Sequence, residues 1–416
     1  MAHFWQDLRS GEWLTLPRMR NYSLILLALY AVAAVVWIGL SDGLIDRNGK
    51  PLGTDFSSFY AAGSLALEGH AADAYQPILH HAREQKQFGT GTPYYSWLYP
   101  PVFFLVAAPL ALLPYPFALA LFQAMGLALY LWVIAAILAP SRQRDPLVAR
   151  HWLLLAAGFP AVFINLGHGQ NGFLTAALLG AALVTLERPV ISGLCIGLLC
   201  YKPQFALVIP IALLATGRWS VVASAALTTI ALVAASWFFF GTDTWTAFLA
   251  STEMSRKVLL EQGSVGFEKI QSAFAAVRLW GGSVPLAYSV QATLSVTLAA
   301  TLAWLWRSDA ASELKAAALA AASLLATPFV LDYDLVVAGL AIAFLARLGL
   351  ARGFRSFEIS ILAAAWTVPL LSRGIAKTTG IPLGLLALLL LYAVILHHAA
   401  EDRKPSALRA PFVAPA

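Results

Sequence analysis

Residues 22–41 read YSLILLALYAVAAVVWIGLS, twenty positions without a charge. As a helix rising ~1.5 Å per residue, they cover roughly the ~30 Å hydrocarbon core of a bilayer. The preceding segment His3–Arg20 is polar and basic, with Arg9, Arg18 and Arg20. The apolar run is too long for the core of a cleaved signal, so it is expected to be an uncleaved first span.

The rest of the chain follows suit. Of 416 residues, 60% are hydrophobic and 12% charged, about half the usual charged share of a soluble domain. Mean hydropathy is +0.73. A soluble globule of this size cannot hide so much apolar surface, which excludes a soluble enzyme, a disordered chain and a nucleic-acid binder. The apolar segments are continuous runs rather than alternating ten-residue strands, which excludes a β-barrel. The expected fold is an all-α polytopic membrane protein, a single integral membrane domain over residues 1–416. The net charge of +6 reflects Lys and Arg held on the cytoplasmic side. Cys195 and Cys200, five apart within one apolar segment, form neither a disulfide framework nor a zinc motif. His397-His398 reads as a solvated end of the last span.

After the first span comes a polar stretch, Asp42 to Trp97. Within it Phe56–Leu67 and Tyr75–Phe88 have helical periodicity and are expected to lie at the membrane surface. Trp97–Leu113 opens on Tyr99-Pro100-Pro101 and is broken by Pro109. Then follow Phe117–Ala139, Trp152–Leu166, Gly172–Leu186, Val190–Tyr201, Phe205–Leu214, Val221–Phe240, Val284–Trp306, Lys315–Leu331, Leu335–Ala346, Phe357–Leu371 and Ile381–His397, giving about 12 spans. Gly241–Gly282 is a second long loop. If Trp97–Leu113 is re-entrant and Val190–Leu214 is a hairpin turning at Lys202-Pro203, the short cytoplasmic loops hold Arg142, Arg144, Arg150, Arg188, Arg218, Arg307, Lys315, Arg347, Arg352 and Arg355. Both termini are then cytoplasmic, the last carrying Arg403, Lys404 and Arg409. If instead Trp97–Leu113 spans and Val190–Leu214 is a single crossing, Arg142, Arg144, Arg150 and Arg188 fall outside, against the bias of short loops. The first arrangement is preferred, in a cell (inner) membrane crossed many times.

That topology gathers Asp55, Tyr60, Tyr99, His168-Gly169-Gln170-Asn171, Lys202-Pro203-Gln204, Gln271, Asp332, Asp334 and Arg373 at the extracytoplasmic side. Polar groups at such depth are expensive unless they line a cavity, so one outward-opening polar cavity is expected. Asp55 reads either as an N-cap of Phe56 onward or as a general base. Tyr99-Pro100-Pro101 reads as a rigid interfacial turn. The Gly-rich turn 167–172 reads as a flexible loop or as amide and imidazole donors for a polar site, not as a nucleotide loop. Lys202, between two apolar halves each too short to span, either snorkels or meets a phosphate as a point charge. Asp332 and Asp334 read as helix caps or as a metal-ligand pair, although no partner has metal spacing.

The order of these elements resembles glycosyltransferase family 87, polyprenyl-phosphate-sugar-dependent mannosyltransferases. The resemblance is carried by Asp55-Phe56-Ser57-Ser58-Phe59-Tyr60-Ala61-Ala62-Gly63, Gly69 to Tyr75, Tyr99-Pro100-Pro101-Val102-Phe103 through Pro109-Leu110 and Leu113-Pro114, Gly169-Gln170-Asn171 and Lys202-Pro203-Gln204, and more weakly by Gln271-Ser272 with Arg278. It implies a GT-C type helical bundle with a long first extracytoplasmic loop. It also implies transfer of mannose or another hexose from a polyprenyl-phosphate donor to a glycolipid or glycan acceptor outside the membrane, with Asp55 as catalytic base and Lys202 at the donor phosphate. Where many relatives carry Ser-Pro and then a histidine motif, this chain reads Thr327-Pro328-Phe329-Val330-Leu331-Asp332-Tyr333-Asp334, so no histidine role carries over there. No nucleotide cofactor is expected, since the cytoplasmic loops are short and carry little but Arg and Lys; divalent metal dependence is left open. Membrane lipid is an expected partner. Two rival readings are a transporter or flippase for a lipid-linked or anionic substrate, which broken helices and a midplane lysine also suit, and a non-catalytic assembly partner in envelope synthesis. A transporter should show repeat symmetry and polar residues facing both sides; here the polar set faces one side and no repeat is visible.

Overall fold

The computed structural model describes the backbone of residues 2–402 and the side chains of residues 3–141 and 145–402. Arg403, Lys404 and Arg409 lie outside the described residues, as do the side chains of Arg142 and Arg144. In chain order the helices are α1 (Ala2–Ser10), α2 (Leu16–Gly39), α3 (Phe56–Leu67), α4 (Pro77–Phe88), α5 (Phe104–Ala111), α6 (Tyr115–Arg144), α7 (Pro146–Ala157), α8 (Pro160–His168), α9 (Gly172–Val184), α10 (Pro189–Leu198), α11 (Ile209–Ala215), α12 (Trp219–Ser255), α13 (Ala273–Leu279), α14 (Val284–Arg307), α15 (Ser312–Leu325), α16 (Ala338–Arg352), α17 (Glu358–Thr379) and α18 (Leu383–Asp402). The expected all-α membrane architecture is what is seen. Many helices start on proline, whose fixed φ suits the first turn and whose missing N–H is no loss there; α4, α7, α8 and α10 are examples.

Among the described residues, eight segments are long and apolar enough to cross a bilayer. The remaining four of the expected twelve, α9, α10, α11 and α15, have 13, 10, 7 and 14 residues. At ~1.5 Å per residue none reaches ~30 Å, so each depends on its neighbours for cover. Asp332–Arg352, a 3-10 turn leading into α16, is the most enclosed of the eight. Against it packs α15, whose Ala316, Ala317, Ala318, Ala320, Ala321 and Ala322 are all buried; small side chains allow the backbones to approach closely, the usual packing device where lipid removes the hydrophobic drive.

Trp97–Leu113 is not one continuous helix: it forms an extended entry, a 3-10 turn at Pro101–Phe103 and the eight-residue α5. Val190–Leu214 is broken at Lys202-Pro203, as expected, with 3-10 turns on either side. The second long loop begins later than expected. The helix continues beyond Gly241, where the chain kinks, to Ser255. This extension packs on the first loop, with the Tyr75 and Phe248 rings 5.6 Å apart.

One expectation is corrected. α3 is not an amphipathic helix lying on a surface, because Phe56, Ser57, Ser58, Phe59, Ala61, Ala62, Gly63 and Leu65 are all buried. α5 covers one side, so closely that a Cβ on Gly63 would stand 2.2 Å from the Ala107 carbonyl oxygen. An aromatic cluster covers another, with the Phe59 ring 5.2 Å from Tyr99 and 5.3 Å from Phe103. Edge-to-face ring pairs add ~0.5–1.5 kcal/mol each beyond their burial. The helix that follows Asp55 is therefore held by protein on several sides.

The orientation can be checked by labelling single cysteines in a background without Cys195 and Cys200. Arg144→Cys and Arg352→Cys should be shielded from an impermeant thiol reagent in intact cells, while Lys50→Cys and Gln262→Cys react. Reaction of Arg144→Cys with Arg352→Cys still shielded would reverse the placement of the segments between them.

Candidate active site

Asp55 does not cap α3. Its backbone is helical and its carboxylate accepts nothing from the first turn. Instead Gln170 Nε2 donates to Asp55 Oδ2 at 2.9 Å. The same carboxamide accepts from the Tyr99 hydroxyl through Oε1 at 3.1 Å. Gln170 thus joins the first loop, the Tyr-Pro-Pro entry and the α8–α9 turn. Oδ1 of Asp55 makes no hydrogen bond among the described residues; its near neighbour is His168 Nδ1 at 3.9 Å. Immediately before it, Thr54 has φ +27°, a strained conformation of the kind that costs ~1–3 kcal/mol and persists only where the surroundings hold it.

The α8–α9 turn is built tightly. Gly169 takes the left-handed conformation with φ +60°, and a Cβ there would strike Phe56 and the Gly53 carbonyl. Asn165 Nδ2 donates to the Gln170 carbonyl at 2.9 Å and to Gln123 Oε1 at 3.2 Å. Asn165 Oδ1 accepts from the Gly172 N–H at 2.9 Å, and Gln123 Nε2 donates to the Gln170 carbonyl at 3.0 Å. Sequence reading missed Asn165, Gln123 and Thr54. The signal was present for the first two, since an amide side chain within an apolar span is costly and rarely idle.

Beyond Asp55 the network continues. His168 Nδ1 and Thr54 Oγ1 are 3.0 Å apart, and Arg373 Nη2 lies 3.2 Å from His168 Nε2. A guanidinium can only donate, so Nε2 is the acceptor, the ring proton sits on Nδ1, and Nδ1–H points to Thr54. Arg373 Nε also donates to Asp332 Oδ2 at 2.7 Å. Two residues on, Lys202 Nζ donates to Asp334 Oδ1 at 2.7 Å. Asp334 Oδ2 accepts from the Leu331 N–H at 3.0 Å. The Tyr333 ring lies between the two pairs, 5.9 Å from His168 and 5.5 Å from Lys202. Asp332 and Asp334 are therefore engaged by two cations rather than standing as a bare ligand pair, and Asp334 also makes the capping contact the sequence allowed, through the Leu331 N–H.

Exposure divides the cluster. The side chains of Lys202 and Asp334 are 4% and 3% exposed, and Asp332 is 2% exposed. Asp55, His168 and Arg373 are 25%, 23% and 38% exposed, and form its accessible edge. Asn171 is buried beside Gln170, and its side-chain amide has no hydrogen-bond partner among the described residues. Two expected lining residues turn their side chains elsewhere, Tyr60 and Gln271. Tyr60 turns away and donates to the Leu113 carbonyl at 2.8 Å. Gln271 folds back on the Glu268 and Lys269 carbonyls and packs against Gly384. Gln204 is half-buried on the 3-10 turn after Lys202.

A bundle of membrane helices with a polar edge built from a carboxylate, an imidazole and a guanidinium is suited to group transfer at the membrane. The family model of glycosyltransferase family 87 matches residues 97–328, more than half the chain. The protein belongs to glycosyltransferase family 87 and is a membrane glycosyltransferase. This sets aside the transporter and assembly-partner readings. No curated protein and no solved structure matches it. The matched stretch includes Tyr99, His168, Gln170, Asn171 and Lys202; Asp55, Asp332, Asp334 and Arg373 lie outside it.

Gln170→Leu tests the keystone amide. It leaves the Tyr99 hydroxyl and Asp55 Oδ2 without their partner, a loss of about 1–3 kcal/mol in stability. A carboxylate free to shift by about 1 Å should lower glycosyl transfer roughly 10²-fold. Thermal unfolding and a transfer assay on the purified variant measure the two separately; transfer at the wild-type rate would show that Asp55 is held in place without Gln170.

Proposed function

We propose that this glycosyltransferase moves mannose or another hexose from a polyprenyl-phosphate donor to a hydroxyl of a glycolipid or glycan acceptor on the extracytoplasmic face, with Asp55 as general base. The observation that carries this reading is the carboxylate itself. One oxygen is fixed by Gln170, the other has no hydrogen bond among the described residues, the side chain is a quarter exposed, and the group does not cap α3. A base must be oriented and still have an oxygen to give.

In the reaction the acceptor oxygen attacks C1 of the sugar while its proton passes to Asp55 Oδ1. The C1–O bond to phosphate breaks, and polyprenyl phosphate leaves with the electron pair. One base and one stabilised leaving group suffice for a single displacement with inversion.

The leaving phosphate needs a cation. Lys202 is the point charge expected there, but it is bound to Asp334 and sealed, so phosphate must compete with that carboxylate. Arg373 is nearer the edge: its Nε and Nη2 are taken by Asp332 and His168, and its side chain is the more exposed. We assign it the first contact with phosphate, with Lys202 behind. The donor's isoprenoid chain suits an apolar groove of about 360 Å³ that runs between Leu105, Leu110, Phe122 and Met125 and ends at Gln170 and Asn171.

Two experiments test this. Asp55→Asn leaves folding nearly unchanged, because no cap is lost, and should reduce transfer ~10²–10⁴-fold while synthetic short-chain polyprenyl-phosphate mannose still binds. Full transfer by this variant would remove Asp55 from the chemistry. For the phosphate, Lys202→Met alone strands a buried carboxylate and costs about 3–5 kcal/mol. The informative variant is the double Lys202→Met, Asp334→Asn, compared with Arg373→Met. Weaker donor binding is expected in both, and unchanged binding in the double variant would make Lys202 purely structural.

A further inference from the structure

We propose that Glu84, sealed behind α3 and uncharged, is a positioning residue for Asp55, and that its ionisation turns the site off as the pH rises. This rests on the reading of Asp55 as the base. α3 begins directly after Asp55, and its first turn is Phe56-Ser57-Ser58. α4 holds that turn from behind. The Ser57 hydroxyl donates to Glu84 Oε1 at 3.4 Å, and the Tyr95 N–H donates to Glu84 Oε2 at 3.1 Å. Ser58 Oγ and His80 Nε2 are 3.2 Å apart, and His80 Nε2 is 3.9 Å from Glu84 Oε1. Both α4 side chains are fully enclosed. In the sequence Glu84 is one charge of the polar stretch Asp42 to Trp97, within the helical segment Tyr75–Phe88.

No water reaches this carboxyl, and burial pushes it up to about 8, with the Asp55 charge adding to the rise and the Tyr95 N–H and Ser57 hydroxyl opposing it. Burial likewise pushes His80 down to about 3, so His80 stays neutral and offers no countercharge. The titratable groups that face Glu84 are Asp55 ahead of α3, His80 with His81 beside it on α4, Tyr94 and Tyr95 on the following segment, and Tyr115 on α6. Arg83 is turned outward to Glu68. At neutral pH Glu84 therefore keeps its proton, and its Oε1 can share a hydrogen bond with Ser57. When the proton leaves, a second carboxylate stands unhydrated behind the turn that carries Asp55. Relief requires water entry or movement of that turn, and a shift of about 1 Å at a reacting group is enough to cost ~10²-fold in rate.

The sign of the linked stability follows. The carboxyl rises from 4.5 to about 8 on folding, so the stability its protonated form contributes is full below about 4.5 and is lost as the pH climbs to about 8.

The test uses the purified full-length protein with two readouts across pH 5–9. In thermal unfolding, the melting temperature of the wild type should fall relative to Glu84→Gln between about pH 5 and 8 and run parallel above. In transfer, the ratio of rates at pH 9 and pH 7 should be about tenfold higher in Glu84→Gln than in the wild type. Ser57→Ala removes a hydroxyl that favours the charged form and should move the alkaline fall to higher pH, which keeps the test open if Glu84→Gln does not fold. An identical alkaline fall in Glu84→Gln and wild type overturns the positioning role. Parallel melting curves throughout would show that Glu84 does not hold its proton. Asp55→Asn should move the melting transition to lower pH, a result that reads Glu84 whether or not Asp55 proves to be the base.

Discussion

Two cations inside an apolar bundle have to be neutralised, and a single tripeptide does it. Asp332 takes Arg373 from α17, and Asp334 takes Lys202 from the break between α10 and α11. Unpaired, each charge would be costly at membrane depth; paired, each fixes the position of an element that cannot fix itself. α10 and α11 are too short to span, and their junction is held where Asp334 requires it. Arg373, held by Asp332, meets His168 and so the turn that supports Asp55. The accessible edge is thus the outer end of a chain of bonds rooted in Asp332–Arg352, the most enclosed of the eight long apolar segments.

The sequence made the bundle legible because hydrocarbon admits few solutions. Continuous apolar runs had to be helices, and Tyr99-Pro100-Pro101 and Lys202-Pro203 had to be breaks, since proline gives no N–H and disfavours helix before it. It also pointed to Asp55, His168, Gln170, Lys202, Asp332, Asp334 and Arg373 as one group, because polar residues at span ends are conspicuous against so apolar a background. What it could not supply was pairing. Nothing in the residue order tells whether Lys202 faces a ligand or Asp334, or whether Asp55 caps its helix or meets Gln170 from 115 positions away. The burial of α3 was hidden for a related reason. Its Ser57 and Ser58 look like a solvent face by periodicity, but they serve His80 and Glu84, and only the tertiary arrangement brings α4 behind them.

Seen from Asp55, the two sides of the carboxylate are organised differently. Toward the membrane helices, neutral amides do the holding: Gln170, with Asn165 and Gln123 securing its backbone. Behind α3 there is a second acid kept neutral by burial. A formal charge on either side would bear directly on Asp55, and Arg373 instead sits on the far side of His168. The imidazole, accepting from Arg373 and donating to Thr54, separates guanidinium from carboxylate. A direct Arg373–Asp55 pair would neutralise both groups. The geometry keeps carboxylate and guanidinium near one another, with His168 between them.

The irregular backbone explains why this edge lies where it does. Non-helical segments survive at membrane depth only where protein or a polar cavity satisfies their N–H and C=O groups. Leu199–Ala206 and Thr327–Val337 are two such segments, and Lys202–Asp334 joins them. Asp334 answers both needs, since one oxygen takes the lysine and the other the Leu331 N–H left over by the interrupted helix. The Val330 carbonyl is met in turn by the Gln271 N–H of the second loop, at 2.8 Å. Broken helices therefore create the unsatisfied groups, and charged side chains satisfy them.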